Sequence, residues 1–98
     1  MENFYGGVTT TQGLIAHLHV VLASGTTPTL DVEIHDSADD MTYLVVPGMV
    51  FTQVTAVTCE RIEIANGANT TEQYLAADIT ITGTSPSFTF CVAVAVKT

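Results

Sequence analysis

The stretch GTTPTLDVEI, Gly25–Ile34, is echoed 58 residues later by GTSPSFTFCV, Gly83–Val92. Each phrase places a glycine three residues ahead of a proline and then enters an apolar run. Glycine tolerates positive φ, proline fixes φ and lacks an N–H, and the residue before proline is pushed toward extended geometry. We therefore predict that each phrase is a turn between two β-strands, with Thr27 and Ser85 extended.

The residues around these phrases have the alternation of short β-strands. In Thr29–His35, Leu30, Val32 and Ile34 point one way and polar side chains point the other, which is typical of antiparallel sheets with one buried face. The predicted strands are Leu14–Leu22, Thr29–His35, Thr42–Val46, Val50–Val54, Thr58–Ile64, Tyr74–Thr82 and Ser87–Val96, with Phe4–Thr9 as an eighth strand or an arm.

This pattern predicts an all-β fold and no helix. Short strands at this spacing, with turn signals between them, favour an antiparallel β-sandwich, jelly-roll-like, of seven or eight strands. Residues 1–13 are expected to form an N-terminal arm or first strand. Residues 14–98 are expected to form a single domain.

The last predicted strand differs from the others because neither of its faces is charged. One face is filled by Phe and Val, and the other by Thr89, Cys91, Ala93 and Ala95. The strand is therefore either central in the sheet or covered on its small-residue face by another chain.

Composition limits the kinds of partner. Of the 98 residues only 12% are charged, the net charge is −8, and Arg61 and Lys97 are the only basic residues apart from histidine. Nucleic-acid binding requires clustered Lys and Arg, and anionic membranes also attract basic residues, so neither partner is expected. We expect no signal peptide and no transmembrane helix. The low charged fraction, against a typical ~25%, favours an assembled protein.

Candidate chemistry is sparse. His17 and His19 lie on one face of a strand, and a hairpin with Thr29–His35 would bring them near Asp31, Glu33 or His35. Such a cluster binds Zn²⁺ in some proteins, but cross-strand polar pairs are the favoured interpretation.

Two further features are interpreted as structural. Asp36–Asp40 is acidic like a Ca²⁺ loop but lacks EF-hand spacing, which favours a hairpin loop capped by Asp and Ser. Cys59 and Cys91 are expected to be free, buried thiols, although a disulfide is not excluded. No nucleophile elbow or phosphate-binding loop occurs. We predict neither an enzyme nor a bound metal or cofactor.

A partner interface is predicted at three places: the N-terminal segment, Met49 and the last predicted strand. The N-terminal segment carries two aromatic residues beside glycines, so it is either an arm that grips a neighbour or a strand that packs Phe4 into the core. The predicted interface residues are Phe4, Tyr5, Met49, Cys91, Ala93 and Ala95. Phe51 is assigned to the core.

Four pieces of the chain resemble small tailed-bacteriophage virion proteins of the head decoration or cement type. These pieces are Gly25–Val32, Asp36–Tyr43, Phe51–Ala56 and Tyr74–Phe90. The resemblance implies a structural protein that is made in the bacterial cytoplasm and bound to the capsid exterior. Its implied partners are the major capsid protein and copies of itself, as a dimer or trimer.

Besides a small metal-dependent enzyme at the His17 and His19 face, which the sequence disfavours, two alternatives remain. One is a phage tail, fibre or neck component. The other is a free carbohydrate-binding β-sandwich, which the absence of Trp and the aromatic content of 7% disfavour.

Overall fold

The computed structural model describes residues 2–6, 13–65, 72 and 74–96. These residues form an all-β structure whose strands are β1 Glu2–Gly6, β2 Leu14–Ser37, β3 Leu44–Val50, β4 Thr58–Ile64 and β5 Tyr74–Val96. Within the described residues the strands make one antiparallel sheet in the order β1-β5-β2-β3, with β4 also paired to β2. The described part of the chain contains no helix long and apolar enough to cross a membrane.

Two long strands dominate the sheet. β2 and β5 pair from Leu14 opposite Val96 to Ser37 opposite Tyr74. The prediction of turns at the two phrases is therefore wrong, because each phrase lies inside a continuous strand. Four of the predicted strands merge into these two. The predicted strand Val50–Val54 is also wrong, because Val50 ends β3 and Val54 makes an isolated bridge to Leu30. The described residues therefore form five strands instead of seven or eight.

The two phrases lie opposite each other as paired β-bulges. The register shifts on both sides of the pair Thr26 and Thr84. Gly25 and Gly83 have φ of +113° and +125°, while Thr27 and Ser85 have φ of +47° and +49°. The extended geometry predicted for Thr27 and Ser85 is therefore wrong, because the bulge holds both in the left-handed region.

The arrangement is nearly symmetric. A Cβ on Gly25 would lie 2.7 Å from the carbonyl oxygen of Ser85, and a Cβ on Gly83 would lie 2.8 Å from that of Thr27. Each glycine thus accommodates the left-handed residue of the opposite phrase, which explains why the motif is present twice.

The bulges bend the ribbon. A 24-residue strand at about 3.3 Å per residue would span roughly 79 Å if straight, yet the longest dimension of the molecule is 40 Å. One apolar cluster contains buried residues from both halves of β2, including Leu18 and Ile34, together with Phe51. The bend therefore allows the two halves of one ribbon to share a core.

Several local predictions are confirmed. Leu30, Val32 and Ile34 are buried, while Asp31, Glu33 and His35 are not. Strand β4 matches the predicted Thr58–Ile64, and Phe51 is in the core. Residues 2–6 form strand β1, which pairs with β5.

Candidate interaction surface

The most distinctive surface is the outward side of the second half of β5. Thr89, Cys91, Ala93 and Ala95 are exposed there, while Phe88, Phe90, Val92 and Val94 pack toward the core. We call these four exposed residues the small-residue strip. It is uncharged and nearly flat because its side chains are small.

Cross-strand neighbours extend this surface onto β2 and β4. His19 lies between Cys91 of β5 and Cys59 of β4, and His17 lies between Ala93 and Arg61 in the next row. A shallow depression of about 410 Å³ runs over these two rows. The surface therefore changes from uncharged at β5 to polar at β4.

Both cysteines are free and exposed, so the prediction of buried thiols is wrong. Each sits opposite His19, on different sides of β2. Two strand spacings amount to about 9.6 Å, and a disulfide requires Cα atoms within about 7 Å. A disulfide between Cys59 and Cys91, which the sequence left open, is therefore excluded within one chain of this fold.

The same half of β5 also presents a free backbone edge. Within the described residues, β1 covers residues 74–77 of β5, whereas residues 87–96 pair only with β2. In the sheet as a whole β5 lies between β1 and β2, as predicted for a central strand, but its residues 87–96 have one side unpaired among the described residues. That another chain covers this part of the strand remains a prediction.

The predicted interface residues have different positions in the structure. Cys91, Ala93 and Ala95 lie together on the small-residue strip. Met49 is fully buried in the core, so its placement at an interface is wrong. Val46 and Met49 both face inward although they are three residues apart, because the pairing register shifts between Val45 and Val50, where Gly48 has a φ of +85°. The predictions for Phe4 and Tyr5 concern side chains outside the described part of the chain.

A polar cluster lies elsewhere on the sheet. The Nε2 atom of His35 is 3.0 Å from Oε1 of Glu33 and 3.5 Å from Oδ2 of Asp78. His17 and His19 were expected to lie near Glu33 and His35 across a hairpin. This expectation is wrong, because all four residues lie on the single long strand β2. Asp78 was not predicted in this cluster, since only the register with β5 places it opposite Glu33.

Geometrically, Glu33, His35 and Asp78 are a set that could hold a divalent cation, since their ligand atoms lie within 4.8 Å of one another. Metal-bound histidine normally donates its second ring N–H to an acceptor. The Nδ1 atom of His35 is buried and has no partner among the described residues. The arrangement is therefore a hydrogen-bonded cluster of His35 and Glu33 beside Asp78, and the described residues give a metal-bound His35 no acceptor for its second ring nitrogen.

The loop after β2 is built by Asp39. Its Oδ1 accepts hydrogen bonds from the N–H of Thr42 at 3.1 Å, the N–H of Met41 at 2.9 Å and the hydroxyl of Ser37 at 2.8 Å. These donors, first of all Thr42, lower the pKa of Asp39. The predicted loop capped by Asp and Ser is confirmed.

Next in the same loop, the Tyr43 hydroxyl donates a hydrogen bond to Asp40. This bond, with nearby negative charge, raises the pKa of Tyr43 to about 12. Both contacts organise the loop, and neither activates a nucleophile.

Comparison with models of known protein families, with curated proteins and with solved structures found no match. The resemblance to decoration proteins therefore stays a prediction, and function must be argued from the surface itself.

Proposed function

We propose that this chain is a structural virion protein that binds the outer surface of a bacteriophage capsid and stabilises it. The observation that carries the proposal is the small-residue strip, an exposed and uncharged surface on a chain of net charge −8. A flat surface of this kind suits contact with another protein, because it can be buried without desolvating charges.

The energetics fit a protein that acts in many copies. Burying apolar surface stabilises by roughly 25 cal/mol per Å², and small side chains contribute little area each. One copy would therefore bind modestly, whereas a capsid presents the same site many times. The negative charge elsewhere disfavours contact with packaged DNA and suits an outer position.

We also propose that the bent ribbon forms a two-layered β-sandwich. Its two halves share one core, and the shortest dimension of 17 Å suits two layers about 10 Å apart. This architecture would leave the small-residue strip on the outside of one layer.

The described surface gives less support to a sugar-binding module. Carbohydrate sites use exposed aromatic rings as stacking platforms. Among the described residues, the exposed large apolar side chains are Val21, Leu22, Met41, Leu44, Val45, Val50, Val57 and Ile81. Since none of them is aromatic, a protein partner fits this surface better than a glycan.

The test is reconstitution on capsids that lack this protein. The purified chain is added, bound protein is measured by sedimentation, and capsid melting is followed by calorimetry. We expect saturable binding and a higher capsid melting temperature. Ala95→Glu should weaken binding at least tenfold, because it places a charge in the strip, whereas Ala56→Glu, on an exposed bend, should not. Absence of binding by the unmodified chain would refute the proposal.

A further inference from the structure

We propose that a second copy of this chain pairs antiparallel with the free edge of β5 at residues 87–96, joining two sheets into one. The inference does not depend on capsid binding, since it concerns the chain alone. Every strand edge exposes backbone N–H and C=O groups that another strand can satisfy.

The other described edges carry features that oppose such pairing. β3 contains Pro47, and proline blocks edge addition. β4 is seven residues long and carries Glu60, Arg61 and Glu63. Residues 87–96 of β5 contain neither proline nor charge. The outer strand β1 is five residues long and contains Glu2. Of these edges, the one at residues 87–96 lacks the usual protection.

Charge indicates a second copy as the occupant. Two chains of net charge −8 repel each other, so they approach best where charge is absent. From Ile79 to Val96 the chain contains no Asp, Glu, Lys, Arg or His. The Glu33, His35 and Asp78 cluster lies on the other half of the ribbon, beyond the bulges.

An antiparallel edge is also complementary to itself. A two-fold axis that passes at Cys91, perpendicular to the sheet, pairs each half of residues 87–95 with the other half in the partner, as a closed dimer requires. Cys91 is the middle residue of that segment and is paired with its own copy. In such a dimer the two copies of Cys91 lie next to each other, and the two small-residue strips form one continuous surface.

The first experiment is sedimentation equilibrium of the purified chain, under reducing conditions, over a range of concentrations. We expect a reversible dimer. Ala93→Glu should raise the dimer dissociation constant at least tenfold, because it places a charge on the uncharged edge that the partner strand would cover. The matched control Ala56→Glu adds the same charge on an exposed bend and should leave the constant unchanged. A monomer at all concentrations, or a dimer unaffected by Ala93→Glu, would overturn the proposal.

A second measurement adds no charge to the edge and replaces single cysteines by serine, so it does not depend on the Ala93→Glu variant folding well. In a Cys59→Ser chain, a short bis-maleimide should link Cys91 to Cys91 and yield a covalent dimer. In a Cys91→Ser chain, where Cys59 is the remaining thiol, the yield should fall to the level of random collision. Equal yields from the two chains would contradict pairing at the β5 edge.

The two proposals fail separately. A chain that dimerises through Cys91 but does not bind capsids would remove the capsid function and keep the edge pairing. A monomeric chain that binds capsids would remove the edge pairing and keep the capsid function.

Discussion

At the scale of single residues, two glycines control the bend of the whole ribbon. Gly25 and Gly83 each leave room for a carbonyl of the opposite phrase and each hold positive φ. The sequence predicted the positive φ correctly from glycine chemistry. It did not predict that Thr27 and Ser85 also have positive φ, because this depends on the phrase in the opposite strand.

Gly83→Ala tests this arrangement. The added Cβ would lie 2.8 Å from the Thr27 oxygen at a φ of +125°, so we expect the free energy of unfolding to fall by about 2–3 kcal/mol. Urea denaturation measures the change. Ser24→Ala, an exposed position beside the same bulge, should stay within about 0.5 kcal/mol. Equal effects of the two variants would contradict the role assigned to Gly83.

His35→Ala tests the contacts of His35 with Glu33 and Asp78. Glu33 and Asp78 lie directly opposite each other, and like charges in that position repel. Removal of the imidazole should lower the free energy of unfolding at neutral pH by about 1–2 kcal/mol. Adding Glu33→Gln to this variant should recover about 0.5 kcal/mol. Further destabilisation by the second change would show that the two carboxylates do not repel.

At the scale of elements, the sequence predicted well which side chains of a strand alternate between buried and exposed. It predicted poorly where one strand ends and the next begins. Strand β4 and the buried face of residues 30–34 follow from local periodicity. The merging of four predicted strands into β2 and β5 does not, because Gly and Pro mark a turn and a bulge with the same local chemistry. Only pairing with the other phrase, 58 residues away in the sequence, distinguishes a bulge from a turn. The same error placed His17 and His19 beside Glu33 and His35, whereas the structure separates the two pairs along β2.

The stability of the folded chain should depend on the protonation of Asp39, in the loop between β2 and β3. Its pKa is lowered from 3.8 in the folded chain, so the charged carboxylate stabilises the folded state above that value. This contribution should be lost as the pH falls below about 3.8 through the lowered folded-state pKa. Stability measured from pH 5 downward should show the loss, and Asp39→Asn should lack this component. An identical acid profile for both chains would contradict the assigned hydrogen bonds.

At the scale of the whole molecule, the bend and the uncharged half of β5 belong together. The bend lets one ribbon build its own core, which leaves the outer side and edge of residues 87–96 free for partners. The sequence identified the small-residue strip through Cys91, Ala93 and Ala95, because its lack of charge is visible without a structure. It could not identify the free edge, since that depends on where β1 and β4 pair.

The central claim is that this protein coats a capsid in many copies. The most direct test is its copy number in purified particles from its native source, measured by quantitative mass spectrometry against the major capsid subunit. The account predicts a number comparable to that of the capsid subunit. A handful of copies would contradict decoration and indicate a tail or neck component, and complete absence would contradict any virion role.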